Sequence, residues 1–360
     1  MGSGLGGGVE TTVINLARVL TERGHSVAIA APEGSCLPKD NFSLNNISLI
    51  QIPGILQPTA QTQKRQTPTV TESALANLWD YAQQVQGQYD LLVNFAYDWL
   101  PFYLTPFLSV PVAHFVSMGS LSDRLDQAIA QILARFPGQL GVYSQAQADT
   151  FKGTDKGTDK GIWNWEILGF GLDIERYGYC DCPDDYLAWI GRISPEKGLE
   201  DAILAAELAG KPLKIFGKLE HKDYWEKLQP LIEQVRQAVN VEYCGFLETA
   251  ALQEQLGRSQ ALLMTPKWIE AFGIVAVEAL ACGVPVVAYR RGGPAEIVRS
   301  GENGWLVEPD DVTGLVIAAG QADKIERQSC RKGAIANYSL SAWGQRFEQW
   351  FCRIVAENSR

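Results

Sequence analysis

EAFGIVAVEALACGVPV, residues 270–286, joins a glycine turn to an apolar helix and then to the start of a buried strand. The first amides of a helix lack acceptors within it and carry about half a positive charge, so the turn at Gly273 is suited to hold a phosphate. Eight helical residues rise ~12 Å, so Glu270 and Glu278 are too far apart for a hydrolytic carboxylate pair, which needs ~5 to 9.5 Å. We expect them to contact two ends of one extended ligand; the alternative is a capping glutamate and a surface glutamate.

Strand-like and helix-like segments alternate around this stretch, which predicts an α/β fold of parallel sheets with helices on both faces. Two doubly wound sheets fit the length better than one, because a domain takes ~150 residues. We expect a first domain over residues 1–172, a second over 173–338, and a C-terminal helix over 339–360 that packs on the first domain. The predicted strands are 26–31, 47–52, 89–95, 110–116, 139–144, 186–191, 213–217, 241–246, 261–265 and 284–288.

A second candidate ligand-binding loop is Gly191-Arg192-Ile193-Ser194-Pro195-Glu196-Lys197-Gly198, between an apolar strand and a helix. It would lie at the carboxyl end of its strand, the edge at which open α/β sheets bind ligands. Two cations there suit a diphosphate, so Arg192 and Lys197 are candidate diphosphate contacts; the alternative is a pair of solvated loop charges. The glycine-rich turns at 292–298 and 301–307 are either structural or line the same cleft.

The chain opens with a glycine loop, Gly2 to Gly8, directly ahead of a helix-like segment. Glycines let a backbone approach a ligand closely, so Gly6 and Gly7 are candidate ligand contacts; a flexible tail is the alternative. Such loops usually follow a strand, and the first strand of a doubly wound sheet is central. We therefore expect that the first strand of the N-terminal domain is missing and that the natural start lies upstream of Met1.

The charge balance argues against a general binder of polyanions. The 360 residues include 31 basic and 41 acidic side chains, a net charge of −10, which excludes a nucleic-acid platform. Seven scattered cysteines favour a reducing compartment over a disulfide framework. The N terminus lacks a secretory pattern and the apolar stretch 274–288 is interrupted by Glu278, so we expect a cytoplasmic protein without a transmembrane segment. The tandem TDKG repeat at 154–161 predicts a solvated loop; a substrate lid is the alternative.

Taken in order, these motifs resemble those of the retaining glycosyltransferases of family 4, which have the GT-B fold of two Rossmann-like domains facing a cleft. The resemblance implies that Glu270 contacts the donor sugar, that Glu278 contacts the ribose of a nucleotide, and that Arg192 and Lys197 hold the diphosphate. It implies further donor contacts at Gly6, Gly7, Gly191, Gly245, Phe246, Leu247, Phe272, and the backbone amides of Gly273, Ile274 and Val275. The resemblance also places His114, at the end of the predicted strand 110–116, near the transferred sugar; a satisfied structural histidine is the alternative.

A narrower resemblance is to pterin glucosyltransferases, which use UDP-glucose and tetrahydrobiopterin. It rests on Gly4 to Glu10, on the turn Ala31 to Gly34, and on Ile167 to Asp173. It implies transfer of glucose from UDP-glucose to the side-chain hydroxyl of a reduced pterin. A helix end with two cations can replace a divalent ion, so we expect neither a metal nor a cofactor.

Other functions stay open. A family 4 transferase can act on a lipid or polysaccharide acceptor, and a GT-B epimerase would convert a nucleotide sugar without any acceptor. A phosphorylase would need free phosphate or a pyridoxal cofactor, and a two-lobed solute-binding protein would share the α/β architecture. Five aromatic residues of the first domain either stack on a flat acceptor or fill the core: Trp79, Tyr97, Trp99, Phe102 and Tyr103.

Overall fold

The computed structural model describes residues 8–37, 47–56, 72–151 and 164–358. Gly6, Gly7 and the TDKG repeat lie outside these residues. The strands are β1 (Val27–Pro32), β2 (Ile47–Ile52), β3 (Leu92–Asn94), β4 (Val112–Val116), β5 (Leu140–Val142), β6 (Glu166–Ile167), β7 (Leu187–Ile190), β8 (Leu213–Phe216), β9 (Val241–Gly245), β10 (Ala261–Met264), β11 (Val286–Tyr289) and β12 (Gly304–Val307). The α-helices are α1 (Gly8–Glu22), α2 (Ala74–Val85), α3 (Trp99–Leu104), α4 (Asp123–Arg135), α5 (Gln145–Asp149), α6 (Leu199–Ala209), α7 (Lys222–Val235), α8 (Thr249–Gly257), α9 (Ile274–Ala281), α10 (Pro294–Ile297), α11 (Val312–Ala319), α12 (Arg327–Tyr338) and α13 (Leu340–Asn358).

The chain divides into two compact units. Unit 1 comprises Met1–Val142, Phe151–Gly171 and Trp343–Arg360, and unit 2 comprises Tyr143–Thr150 and Leu172–Ala342. The expected boundaries differ from this division in placing the segment that contains α5 with the first domain. In the structure the amides of Gln145 and Ala146 donate to the Glu296 carboxylate at 3.0 and 2.7 Å, which ties that segment to unit 2.

Unit 2 is built on one parallel sheet with the strand order β12-β11-β10-β7-β8-β9. Its central strands are continuous apolar runs, such as Ala261–Met264 and Val286–Tyr289, because helices cover both faces of a parallel sheet. This confirms the predicted α/β class. The turn at 301–307 contains β12, and a Cβ at Gly304 would lie 1.9 Å from the Val286 carbonyl oxygen. Gly304 therefore allows close strand pairing.

Unit 1 contains two parallel sheets among its described residues, one pairing β1 with β2 and one with the order β3-β4-β5-β6. The predicted strand upstream of Met1 concerns residues that this sequence does not include and stays a prediction. The aromatic face of α13 completes the core of unit 1, where Trp343 and Phe347 are fully buried and Trp350 is 1% exposed. The Trp350 indole donates to the Gly138 carbonyl at 2.7 Å, and the Trp343 ring fills the space beside Gly171.

The five aromatic residues considered for acceptor binding have different environments. Trp79 and Phe102 are buried in unit 1, whereas Trp99 and Tyr103 are 40% and 57% exposed. The Tyr97 hydroxyl donates to the Gly119 carbonyl at 2.6 Å. Two of the five rings therefore belong to the core. Across the described ranges, no helix has both the length and the apolar content needed to cross a bilayer.

Candidate functional site

The carboxyl edge of the unit 2 sheet brings together most of the predicted donor-binding residues. Parallel strands end at the same edge, so the loops that follow β7, β8, β9, β10 and β11 are neighbours there. These loops carry Arg192 and Lys197 after β7, Phe246 after β9, and Glu270 after β10. All of these loops belong to unit 2, so the candidate site lies within that unit.

Lys197 and Glu270 form an ion pair at this edge, with side chains only 20% and 16% exposed. Both Lys197 and the Trp268 indole, at 3.1 Å, donate to the same carboxylate oxygen, Oε2. The Lys197 ammonium also lies 5.2 Å from the centre of the Trp268 ring. The sequence analysis did not identify Trp268 as a site residue. Its position two residues before Glu270 was the one feature of the sequence that could have indicated it.

The turn that carries Lys197 is tied to the end of β10. The Thr265 hydroxyl donates to the Gly198 carbonyl at 2.7 Å and accepts from the Trp189 indole at 3.2 Å. Gly198 has φ 64°, and a Cβ there would lie 2.1 Å from the Thr265 carbonyl oxygen. The close approach and the left-handed backbone both require glycine at this position. These contacts hold the turn that carries Lys197 against the end of β10, the strand that precedes Glu270.

A second charged network lies beside this turn. Lys267 donates to Asp201 and, at 2.9 Å, to Asp310. The Tyr289 hydroxyl donates to the same Asp201 at 2.5 Å, and Arg291 donates to Asp310 at 2.8 Å. The hydrogen bonds from Arg291 and Lys267 lower the pKa of Asp310. The network links the ends of β10, β11 and β12 to α6, and sequence reasoning missed it because its members are distant along the chain.

Arg192 lies further from the core, with 43% of its side chain exposed. It donates to Glu220 at 2.8 Å and to Glu196 at 3.2 Å. Burial acts to raise the pKa of Glu196, but the hydrogen bond from Ser194 and the Arg192 charge outweigh it and the pKa is lowered. The two cations expected at a diphosphate are therefore both paired with carboxylates in this structure.

The N-terminus of α9 lies beside Glu270. Gly273 caps the helix with φ 94°, a left-handed conformation that favours glycine. The Gly293 amide donates to the Glu270 carbonyl at 2.7 Å, and a Cβ at Gly293 would lie 2.2 Å from the Phe272 carbonyl oxygen. The glycine turn at 292–298 thus supports the segment that carries Glu270. The amides of Ile274 and Val275 lie in the first turn of α9, where a helix has no acceptor of its own for them.

Glu278 lies one helical turn further along α9 and is largely buried. Its Oε1 accepts a hydrogen bond from the Tyr177 hydroxyl at 2.8 Å. Burial raises the pKa of the Glu278 carboxyl, and the hydrogen bond from Tyr177 opposes that rise. Nothing in the local sequence pattern around Tyr177 indicates a buried tyrosine.

The predicted base-binding turn follows β9. Gly245 has φ 77°, and its carbonyl accepts from the Gly217 amide at 2.9 Å. Phe246 is 69% exposed, and Leu247 is half-buried. An exposed aromatic ring at the carboxyl edge of the sheet is available to stack on a planar ligand.

His114 lies in unit 1 and has no exposed surface. Its Nε2 lies 2.8 Å from the Thr105 hydroxyl, its Nδ1 lies 3.2 Å from the Asn94 amide nitrogen, and its ring stacks on Phe102 at 4.5 Å. Burial lowers the pKa of His114 to about 3. Within unit 1, the structure therefore gives His114 the environment of a satisfied core histidine, and a role near the transferred sugar stays a prediction.

Within the part of the chain that the structure describes, no three His, Cys, Asp or Glu side chains are grouped so that they could hold a metal ion.

Comparison with known families gives a match for each half of the chain. The family described as Glycosyl transferases group 1 matches residues 183–334. The family described as Glycosyltransferase Family 4 matches residues 6–136. Between them, the two matches include most of the chain.

Individual relatives match shorter segments. The chain is 35% identical over 101 residues to a probable sucrose-phosphate synthase 1 of Oryza sativa subsp. indica, which is 28% of this chain and 9% of the rice protein. It is 32% identical over 140 residues to the 2-deoxystreptamine N-acetyl-D-glucosaminyltransferase of Streptomyces fradiae, which is 38% of this chain and 33% of that protein. The chain thus spans a tenth to a third of the length of these curated relatives.

Solved structures share the fold over nearly the whole chain. The sucrose-phosphate synthase of Thermosynechococcus elongatus has a TM-score of 0.73 and 18% identity, covering 98% of this chain and 94% of that one. HepE of Anabaena in complex with UDP has a TM-score of 0.72 and 19% identity, covering 96% of each chain. The two Rossmann-like halves predicted from the sequence are consistent with these neighbours.

Proposed function

We propose that the chain is a GT-B glycosyltransferase that transfers a hexose from a nucleotide sugar to an acceptor hydroxyl with retention of configuration. The two family matches, over residues 183–334 and 6–136, support the transferase class. The proposed donor is UDP-glucose. Its support is the resemblance of the motifs together with the structural neighbour HepE, which has been solved in complex with UDP-glucose.

One observation carries this proposal: the Lys197–Glu270 ion pair lies beside the N-terminus of α9 at the carboxyl edge of the sheet. A diphosphate bound there would meet the Lys197 ammonium and the amides of Ile274 and Val275. Among the residues that the structure describes, Lys197 and Trp268 both donate to Oε2 of Glu270 and none donates to Oε1, so Oε1 can accept from a sugar hydroxyl. Lys197 thus supplies a positive charge for the leaving diphosphate, and the neighbouring Glu270 supplies a hydrogen-bond acceptor for the sugar.

In the proposed reaction the bond between the sugar C1 and the diphosphate oxygen breaks, and a bond between C1 and the acceptor oxygen forms on the same face. The acceptor proton passes to a phosphate oxygen of the departing diphosphate. Negative charge builds on the diphosphate in the transition state, and fixed cations and helix amides stabilise it there. Lys197 is the main cation, because Arg192 is more exposed and shared between two carboxylates.

We propose a small acceptor, with the side-chain hydroxyl of tetrahydrobiopterin as the first candidate. The three short stretches that resemble pterin glucosyltransferases support it. Trp99 and Tyr103 are exposed aromatic rings of unit 1 that can stack on a flat heterocycle.

The proposal is tested by measuring UDP released from UDP-glucose with and without an acceptor panel that includes reduced pterins, lipids and oligosaccharides. The expected result is release that depends on the acceptor, with an α-linked product by NMR. Conversion of the nucleotide sugar without any acceptor would indicate an epimerase. Binding without turnover of UDP-, ADP- and GDP-sugars with every acceptor would contradict the transferase assignment.

A further inference from the structure

Tyr177 is a buried residue in a segment of ordinary loop composition. It is 7% exposed, and its hydroxyl donates to Oε1 of Glu278 at 2.8 Å. Burial and the nearby carboxylate both raise the pKa of the Tyr177 hydroxyl, so it stays protonated and remains a donor. A hydrogen bond to a charged acceptor in such surroundings is among the stronger ones in a protein.

The backbone of Tyr177 is attached to the same helix as Glu278. The Arg331 guanidinium, from α12, donates to the Tyr177 carbonyl at 2.6 Å and to the Ala281 carbonyl at 2.5 Å. Ala281 is the last residue of α9, where a cation is favoured by the helix dipole. One side chain thus holds both the tyrosine and the end of α9, so Tyr177 keeps a fixed position relative to Glu278.

The contact with Tyr177 affects both the charge state and the orientation of the Glu278 carboxylate. Burial favours its neutral form, and the Tyr177 hydroxyl favours its charged form. Because the hydroxyl binds Oε1, it restricts the orientation of the carboxylate, and Oε2 receives no hydrogen bond from the residues that the structure describes. A carboxylate held in this way can accept from two neighbouring hydroxyls with little loss of side-chain entropy on binding.

We propose that Tyr177 is a positioning residue that orients Glu278 for the ribose of the donor nucleotide and so sets the preference for ribonucleotides. This inference rests on the proposed function, because it takes a nucleotide as the ligand. Tyr177 touches neither the nucleotide nor the sugar; it acts through the carboxylate.

The experiment compares binding of UDP and of 2′,3′-dideoxy-UDP by titration calorimetry to the full chain, to Tyr177→Phe and to a matched control, Tyr186→Phe. Tyr186 is similarly buried, at 5% exposure. It lies directly before β7, at the amino edge of the sheet, and its hydroxyl donates to the Gln255 carbonyl of α8. The ratio of the two dissociation constants is measured within one preparation, so partial unfolding of a variant affects both ligands equally. A thermal unfolding curve is recorded for each variant.

We expect the wild type to prefer UDP, and Tyr177→Phe to reduce that preference about tenfold or more, the scale of losing one hydrogen bond to a charged group. Tyr186→Phe should leave the ratio unchanged. An unchanged ratio in Tyr177→Phe, or a wild type that binds both ligands equally, would overturn the inference and leave the proposed function standing. A wild type that binds none of UDP, ADP and GDP would contradict the proposed function itself.

Discussion

Replacing Lys197 by Met tests the site most directly, because Met keeps most of the apolar stem and removes the charge. Loss of one preorganised contact to charge that develops in a transition state lowers kcat by ~10² to 10³-fold, equivalent to ~2.7 to 4 kcal/mol. We expect a decrease of that size in the rate of UDP release, with a much smaller change in the binding of the acceptor.

The same substitution should destabilise unit 2. Breaking a fully buried ion pair costs ~3 to 5 kcal/mol and an exposed pair is worth less than ~1 kcal/mol. The Lys197–Glu270 pair is four-fifths buried, which gives an expected loss of about 2 kcal/mol and a Tm lower by about 4 to 8 °C. Differential scanning calorimetry measures this loss separately from turnover.

Lys211→Met is the matched control. Lys211 pairs with Asp185, but these residues precede β8 and β7 and so lie at the opposite edge of the same sheet, and the Asp185 side chain is 69% exposed. Its turnover should equal that of the wild type, and its Tm should fall by no more than about 2 to 4 °C. A folded Lys197→Met protein that turns over within threefold of the wild type at saturating donor would refute the role given to the lysine.

Four further outcomes are expected. Arg192→Ala should lower turnover only about tenfold in the UDP-release assay, because that side chain is exposed and shared by two carboxylates; a larger effect than that of Lys197→Met would reverse their order. EDTA should leave turnover unchanged, and a loss restored by Mg²⁺ or Mn²⁺ would show that a divalent ion is needed. Gly198→Ala should reduce both turnover and Tm, since its Cβ would collide with the Thr265 carbonyl in a backbone conformation that alanine rarely adopts; a wild-type Tm would contradict this. Burial lowers the pKa of His114 from 6.5 to about 3, so below pH 6.5 the unfolded state binds a proton that the folded state does not. The free energy of unfolding should therefore fall by up to ~1.4 kcal/mol per pH unit as the pH drops below 6.5. In urea titrations between pH 5 and 7, His114→Phe should remove this pH dependence and the control His221→Gln should retain it.

The α/β class and most strands of unit 2 follow directly from the sequence, because strands covered on both faces are nearly continuous apolar runs. Two strands were not predicted for clear reasons. The two residues of β6 are too few to give a pattern, and β12 begins with Gly304 in a stretch that reads as a turn. Gly304 is needed there by the close approach of β11, which no local pattern reveals.

For the candidate site, the sequence indicated individual residues within single loops but not the contacts between loops. Arg192, Lys197 and Glu270 were identified from their loops, and the parallel sheet brings those loops to one edge. The Lys197–Glu270 and Arg192–Glu220 ion pairs could not be predicted, because their members are 73 and 28 positions apart along the chain. Tyr177 shows the same limit: its partner Glu278 is 101 residues away, and only the tertiary structure brings them within hydrogen-bonding distance.

The return of α13 to unit 1 has a consequence for the order in which the protein is made. The core of unit 1 needs Trp343, Phe347 and Trp350, which a ribosome adds only after the whole of Leu172–Ala342 has been synthesised. While unit 2 is being synthesised, nascent unit 1 lacks these three side chains, so the apolar groove that they fill is exposed. Chains released early, before these three aromatic residues, would expose that groove and should be captured by chaperones or degraded.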